Sequence, residues 1–235
     1  MYNEKKIVAI IPARGGSKGI PKKSIVKLLG KPLIYYTIKE AQKSKYLSDI
    51  IISTDDDEIA TVCIQYNVEV IKRPKKLAQD TTSLIPVLKH AIKSIEKKRI
   101  KPEIIVLLQP TSPLRNVEDI DNTINKLINL KADSAETFCE VRQYPASMFK
   151  KHGLFFIPID KQNLHKRRQD LQRLYSENGA VYVVNYETLI KKNTLYGKKH
   201  IGFVMPSERS IDIDEPIDLI IAEVLIKNAE QQMLR

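Results

Sequence analysis

The chain of 235 residues carries 39 Lys and Arg against 28 Asp and Glu, a formal charge of +11, with 43% hydrophobic residues, 6% aromatic residues and no tryptophan. That length supports one large α/β domain. No apolar run approaches the ~20 residues of a membrane-spanning helix, and a basic chain this poor in aromatics lacks the stacking side chains of a single-strand nucleic-acid binder. Neither membrane nor nucleic acid is therefore expected as a partner. The apolar run at 7–13 is too short for the core of a secretory signal. Cys63 and Cys139 form no CxxC pair, so a cytoplasmic protein is expected.

Residues 6–13 (KIVAIIPA) are a continuous apolar, β-branched run closed by a glycine-bearing stretch, the pattern of a buried parallel strand. A helix follows over 32–43, with Pro32 in its first turn and Leu33, Tyr36, Thr37 and Ala41 near one face. Strands are predicted at 50–53 and 68–71. Between them Asp55 caps a helix, with Glu58 three residues on. A helix over 82–96 leads to a strand at 103–108, and Asn116 caps a helix running to 130. Strands alternating with helices through short loops predict a parallel sheet covered on both faces. Its binding loops then lie at the carboxyl ends, after Ala13, Ser53, Ile71 and Leu108. Past Ala132 the regularity breaks. A strand at 133–141 is followed by a polar, basic and aromatic stretch, 143–176, long enough to read as a functional loop or interaction arm. Strands at 179–185 and 201–205 precede a helix that opens at Asp214-Glu215-Pro216 and runs to about 227.

The segment after the first strand, ARGGSKGIPKK at 13–23, combines glycines that admit backbone N–H groups close to a phosphate with cations at Arg14, Lys18 and Lys22 or Lys23. Charge spread along a loop suits a triphosphate, which needs neutralising at more than one phosphorus. The spacing is neither GxGxxG nor GxxxxGK[ST], so dinucleotide binding and P-loop hydrolysis lose support. Arg73 stands just after the third strand. Gln109 opens a loop stiffened by Pro110 and Pro113. Asp212 and Asp214, two apart, share one face of an extended backbone, as a hard cation requires; Asp214 is equally placed to cap the helix that follows. Arg168 lies in the basic stretch, where a guanidinium is either a solvated charge or a two-point grip on a carboxylate. His90, His152, His165 and His200 show no zinc spacing.

The run IPARGGSKGIPKK (11–23) resembles the signature loop of the acylneuraminate, or CMP-sialic acid, cytidylyltransferases. Four further blocks agree in order: RPKKLAQD (73–80), LLQPTSPLR (107–115), NGAVY (178–182) and IDID (211–214). The resemblance spans nearly the whole chain. It implies a single three-layer α/β/α domain over 1–235, of the nucleotide-diphospho-sugar-transferase type. The sheet would be mixed but predominantly parallel, and an inserted arm at about 138–176 would build a homodimer. It implies that Ala13, Arg14, Gly15, Gly16, Lys23 and Ser24, with Arg73, Asp80 and Ser83, hold CTP. Arg14, Lys18, Lys23 and Asp214 would serve the reacting phosphates, and Asp212 and Asp214 would bind Mg2+. Gln109, Arg168 and Asn178 would contact an acidic nine-carbon sugar. The implied reaction moves CMP from CTP to the anomeric hydroxyl of N-acetylneuraminic or legionaminic acid and releases pyrophosphate. Ser24 departs from the family, which places Asn there. Pseudaminic acid or KDO is an alternative sugar, although Lys18 stands where KDO enzymes carry Arg. A non-catalytic nucleotide or nucleic-acid binder is an alternative of another class, and it leaves the Asp212/Asp214 pair unexplained.

Overall fold

The apolar runs that read as buried strands all enter one sheet. The computed structural model describes residues 6–17, 19–98 and 101–233. In chain order the elements are β1 (Ile7–Pro12), a short hairpin of β2 (Lys27–Leu28) and β3 (Lys31–Pro32), α1 (Leu33–Gln42), β4 (Asp49–Thr54), α2 (Asp57–Ile64), β5 (Glu69–Lys72), α3 (Leu84–Glu96), β6 (Ile104–Leu108) and α4 (Val117–Asn129). There follow β7 (Ser134–Glu140), a second hairpin of β8 (Phe149–His152) and β9 (Phe155–Pro158), β10 (Tyr175–Asn185), α5 (Tyr186–Ile190), β11 (His200–Met205) and α6 (Pro216–Met233).

The seven-stranded sheet has the order β11-β7-β10-β6-β1-β4-β5. β1 pairs in parallel with β4 and β6, β4 with β5, and β11 with β7; only β10 runs antiparallel to its neighbours, β6 and β7. The expected mixed, predominantly parallel sheet is thus present. Its central strands are apolar on both faces because both faces are covered. On one side Ile11, Ile52, Val106 and Val183 pack with Ile34 and Ile38 of α1, Ile59 of α2 and Ile120 and Ile124 of α4. On the other, Ile10, Ile51 and Leu107 meet Leu88, Ile92 and Ile95 of α3 and Leu189 of α5.

Several boundaries differ from the expectation. The N-cap of α2 is Asp56, not Asp55: its carboxylate accepts from the N–H groups of Glu58 and Ile59. Asp55 is drawn instead to the loop after β1. The Asn116 cap is present, as a full capping box with Asp119. β10 begins at Tyr175, and its pairing with β7 slips between Glu177 and Tyr182, a bulge at the sheet's carboxyl edge. The stretch read as irregular contains the β8–β9 hairpin, turned at Gly153 with φ +62°. Its apolar side chains are bare: Leu154 is 93%, Phe155 74% and Phe156 66% exposed. α6 runs six residues past its expected end and also leaves Ile217, Ile220 and Val224 exposed. Among the described residues, no helix is long and apolar enough to cross a membrane.

One buried acid strains this frame. Glu136 of β7 is 4% exposed, opposite Tyr182 of β10 and Gly202 of β11. His200 Nε2 lies 3.4 Å from its Oε1, while its Oε2 has no hydrogen-bond partner among the described residues. Burial, and then the charge of Glu177, push its carboxyl up to about 7. The native state therefore keeps a proton that the unfolded chain has released, so stability declines as pH rises from the ordinary carboxylate range to about 7. Glu136→Gln should stabilise the protein at pH 8 by on the order of 1 kcal/mol after solvent screening, with little effect at pH 4. Urea melts of both proteins at the two pH values measure this; an equal difference at both would contradict it.

Candidate active site

The carboxyl edge of β1, β4, β5 and β6 opens into a cleft of about 540 Å³ lined by Arg14, Lys23, Ser24, Arg73, Asp80, Gln109, Asp212 and Asp214, among others. That volume is within the ~300–1,000 Å³ of small-molecule sites. The loop after β1 is held by contacts to the end of β4 and the residues after it. The Ala13 N–H donates to the Ser53 carbonyl at 2.9 Å, and the Gly15 N–H donates to Asp55 Oδ1 at 3.1 Å. A Cβ on Gly15 would sit 2.7 Å from Asp56 Oδ2, so only glycine lets the loop lie against the start of α2. Gly15 therefore spends its amide on Asp55 rather than directing it into the cleft. Ala13, Gly15 and Gly16 shape the loop and do not line the cleft, whereas Ser17 and Gly19 do. Lys18 lies outside the described residues.

Lys22 takes a left-handed conformation, φ +46°, at the start of a single 3-10 turn, and its ammonium pairs with Glu58. The next residue is thereby turned inward. Lys23 Nζ donates to the Ile213 carbonyl at 2.6 Å and to Asp214 Oδ1 at 2.9 Å. Arg14 Nη1 pairs with Asp80 Oδ1 at 2.8 Å. Arg73 is 4% exposed and lies 3.7 Å from Asp55 Oδ1. Burial lowers its pKa, Asp55 opposes that shift, and Arg14 adds to it. Ser24 is buried at the cleft floor. Ser83 occupies the N-cap position of α3 without a side-chain capping bond; its neighbours Thr82 and Leu84 reach the cleft instead.

A second cavity adjoins the first and is lined by Arg142, Glu177, Asn178, Tyr182 and Leu225, among others. Gln109 and Asp212 line both. Gly179, with φ +71°, brings them together at the β10 bulge: a Cβ there would lie 3.4 Å from Gln109 Nε2 and 3.7 Å from Asp212 Oδ2. Asn178 borders this cavity with its amide already engaged. Its Oδ1 accepts from Thr137 Oγ1 at 2.7 Å and from the Ala180 N–H, and its Nδ2 donates to Ser210 Oγ at 2.9 Å. Arg168 is not brought to Gln109 within the chain. It stands 5.8 Å from the Tyr144 ring centroid in a neighbouring groove that shares Arg142 and Ser207 with the second cavity.

Asp212 and Asp214 flank Ile213, whose side chain is fully buried against Ile20, Leu28, Leu33 and Ala222. Alternation then turns both carboxylates away from that core. The cap of α6 is not made by Asp214: Asp218 Oδ2 accepts from the N–H groups of Asp214 and Glu215, which leaves Asp214's own carboxylate for Lys23. Crowding by protein atoms raises the Asp212 carboxyl, against a hydrogen bond from Thr111, although its edge stays open to the cleft. Sequence reasoning missed Asp55, Thr111, Arg142, Glu177 and Tyr182. Asp55 had a signal, since it directly follows β4 at the edge where binding loops gather.

The approach of the two site segments is close enough to test. A Cβ on Gly19 would lie 2.3 Å from the Asp214 carbonyl oxygen, a contact no rotamer relieves. Gly19→Ala should push the loop and the Asp segment apart and destabilise the fold by on the order of 1–3 kcal/mol. Urea melts check this, and an unchanged midpoint would show that the two segments do not need this contact.

The profile of a family described as Cytidylyltransferase matches residues 8–234. The N-acylneuraminate cytidylyltransferase of Streptococcus agalactiae is 34% identical over 219 residues, 92% of this chain and 52% of that protein. The chain thus spans about half the length of that relative. The pseudaminic acid cytidylyltransferase of Campylobacter jejuni is 31% identical, covering 94% of this chain and 97% of its own. The CMP-N,N'-diacetyllegionaminic acid synthase of Legionella pneumophila is also 31% identical, covering 97% and 100%. Among solved structures, a CMP:2-keto-3-deoxy-manno-octonic acid synthetase complexed with CTP superposes with a TM-score of 0.73 at 18% identity, over 96% of this chain and 100% of that one. The last likeness is one of fold.

Proposed function

The chain belongs to the cytidylyltransferase family, and from that premise we propose that it transfers CMP from CTP to the anomeric hydroxyl of an acidic nine-carbon sugar. The observation that carries this reading is the meeting of two cavities at Gln109 and Asp212, one loop-built with Arg14, Lys23 and Arg73 set among carboxylates, the other broader and lined by both polar and apolar side chains. Arg14 and Lys23 would hold the triphosphate in the first, with Arg73 beneath. The sugar would occupy the second, with Gln109 offering a donor and an acceptor at its entrance. The sugar hydroxyl oxygen attacks the α-phosphorus and gives up its proton to water, the bond from that phosphorus to the oxygen bridging to the β-phosphorus breaks, and pyrophosphate leaves. Catalysis is then chiefly alignment and neutralisation of charge on the phosphates.

Asp212 and Asp214 fit Mg2+ in donor chemistry, since that ion takes one or two carboxylates together with substrate phosphates. Among the described residues no larger cluster of His, Cys, Asp and Glu offers another site. Bound there, Mg2+ would polarise the α-phosphate and offset charge on the departing pyrophosphate. Lys23 already balances Asp214, and would be free to turn to a phosphate once Asp214 has another partner.

The arm supports a homodimer. A hairpin exposing Leu154, Phe155 and Phe156 is left uncovered by the described residues, and a second copy would bury those side chains and bring a second Arg168 to the assembly. Residence in the cytoplasm is part of the same reading.

Pyrophosphate release should require CTP, Mg2+ and one of N-acetylneuraminic, legionaminic or pseudaminic acid, and Asp212→Asn should reduce kcat by on the order of 100-fold. Folded protein that binds CTP yet releases no pyrophosphate with any of these sugars would overturn the chemistry. By analytical ultracentrifugation the wild type should sediment as two chains and a Phe155→Asp, Phe156→Asp variant as one. A monomeric wild type would remove the dimer.

A further inference from the structure

Behind the two cavities lies a buried ionic group that touches neither. Arg115 is 1% exposed, and its Nη1 donates to the carbonyls of Gln109 at 3.1 Å and Ala180 at 2.9 Å. Its other nitrogens, Nε and Nη2, have no hydrogen-bond partner among the described residues. The charge is balanced at longer range by Asp119 and Glu40. Asp119 is fully buried in the first turn of α4. It accepts from the Asn116 N–H at 3.0 Å and from Arg209 through Nε at 3.1 Å and Nη2 at 2.8 Å. Arg209 precedes Asp212 by three residues. The same stretch is stitched forward by the Ile213 N–H, which donates to the Thr111 carbonyl at 2.8 Å, and by Asn178 Nδ2, which donates to Ser210 Oγ.

Gln109, Asn178 and Asp212 of the second cavity stand on three segments, 109–115, 178–180 and 209–214. Arg115 and Arg209, through Asp119, join all three. Burying ions is a poor way to gain stability, because apolar side chains of similar volume usually serve as well or better. The helix cap needs Asn116 and Asp119, not two guanidiniums. What a guanidinium adds is direction, with several donors in one rigid plane. We infer that Arg115 and Arg209 are positioning residues that fix Gln109 and Asp212 relative to one another, and so set the register at which the sugar hydroxyl meets the α-phosphate. The inference rests on the function proposed above.

The test uses the full chain, with Arg209→Met, Arg209→Lys, Arg115→Lys and the double variant Arg115→Lys, Arg209→Met. Arg209 keeps 30% side-chain exposure but pairs with the buried Asp119, so thermal melting of each variant separates loss of fold from loss of turnover. Arg209→Met should lower kcat by on the order of 10-fold or more while KM for CTP stays within about twofold. Arg209→Lys should recover part of the loss. The double variant should fall less than the product of the two single losses, because both act through one group. Unchanged kcat in Arg209→Met, or a loss that follows only the folded fraction measured by thermal melting, would overturn the inference. Strictly multiplicative losses would also overturn it. A wild type that turns over no acid sugar with CTP would instead overturn the proposed function, and the inference with it.

Discussion

The site depends on one buried isoleucine. Ile213 sits between the two acidic residues of the cleft with its side chain in a small core formed by Ile20 of the loop after β1, Leu28, Leu33 and Ala222 of α6. Burial of such a side chain contributes about 2 kcal/mol. Its backbone is held at both ends, the N–H by the Thr111 carbonyl and the carbonyl by Lys23. With Ile213 so fixed, the alternation of an extended chain leaves Asp212 and Asp214 no choice but the cleft side. The same core fastens the far end of the glycine-bearing loop, so loop and acids are registered by apolar contact before any charge is considered.

Electrostatics then refines what packing has placed. The basic chain does not leave its cleft cations bare: Arg14 meets Asp80, Lys23 meets Asp214 and Arg73 faces Asp55. Each cation is thereby held in place by a carboxylate from another part of the chain. The partners come from loops after β4, β5 and β11, so the charge pattern reports the sheet order rather than any local motif.

The strands and their alternation with helices were legible because continuous β-branched runs and the Asn116 capping box are local signals. Elsewhere the deciding contact lay far away in sequence. Three consecutive aspartates, 55 to 57, offer the same side chain at three cap positions, and only the Gly15 N–H, forty residues distant, draws Asp55 off and leaves the cap to Asp56. The Lys23–Asp214 pair spans 191 residues. The β8–β9 hairpin hides because its outer strand reads FKKH, whose lysines mask the apolar alternation continued by Phe155 and Ile157. Asn178 shows the limit of a motif: its position was foreseen, but its amide proves to be committed to Thr137, Ala180 and Ser210.

The single reversed strand has a topological outcome. β7 runs in the common direction and ends at the carboxyl edge, while β10 runs against it and begins there. Whatever is inserted between them must leave and re-enter the sheet at the mouth of the cleft, whatever its sequence. Residues 141–174 are thus delivered to the entrance by strand direction alone. The length and sequence of such an insert are therefore free to change without disturbing a single paired strand of the frame beneath.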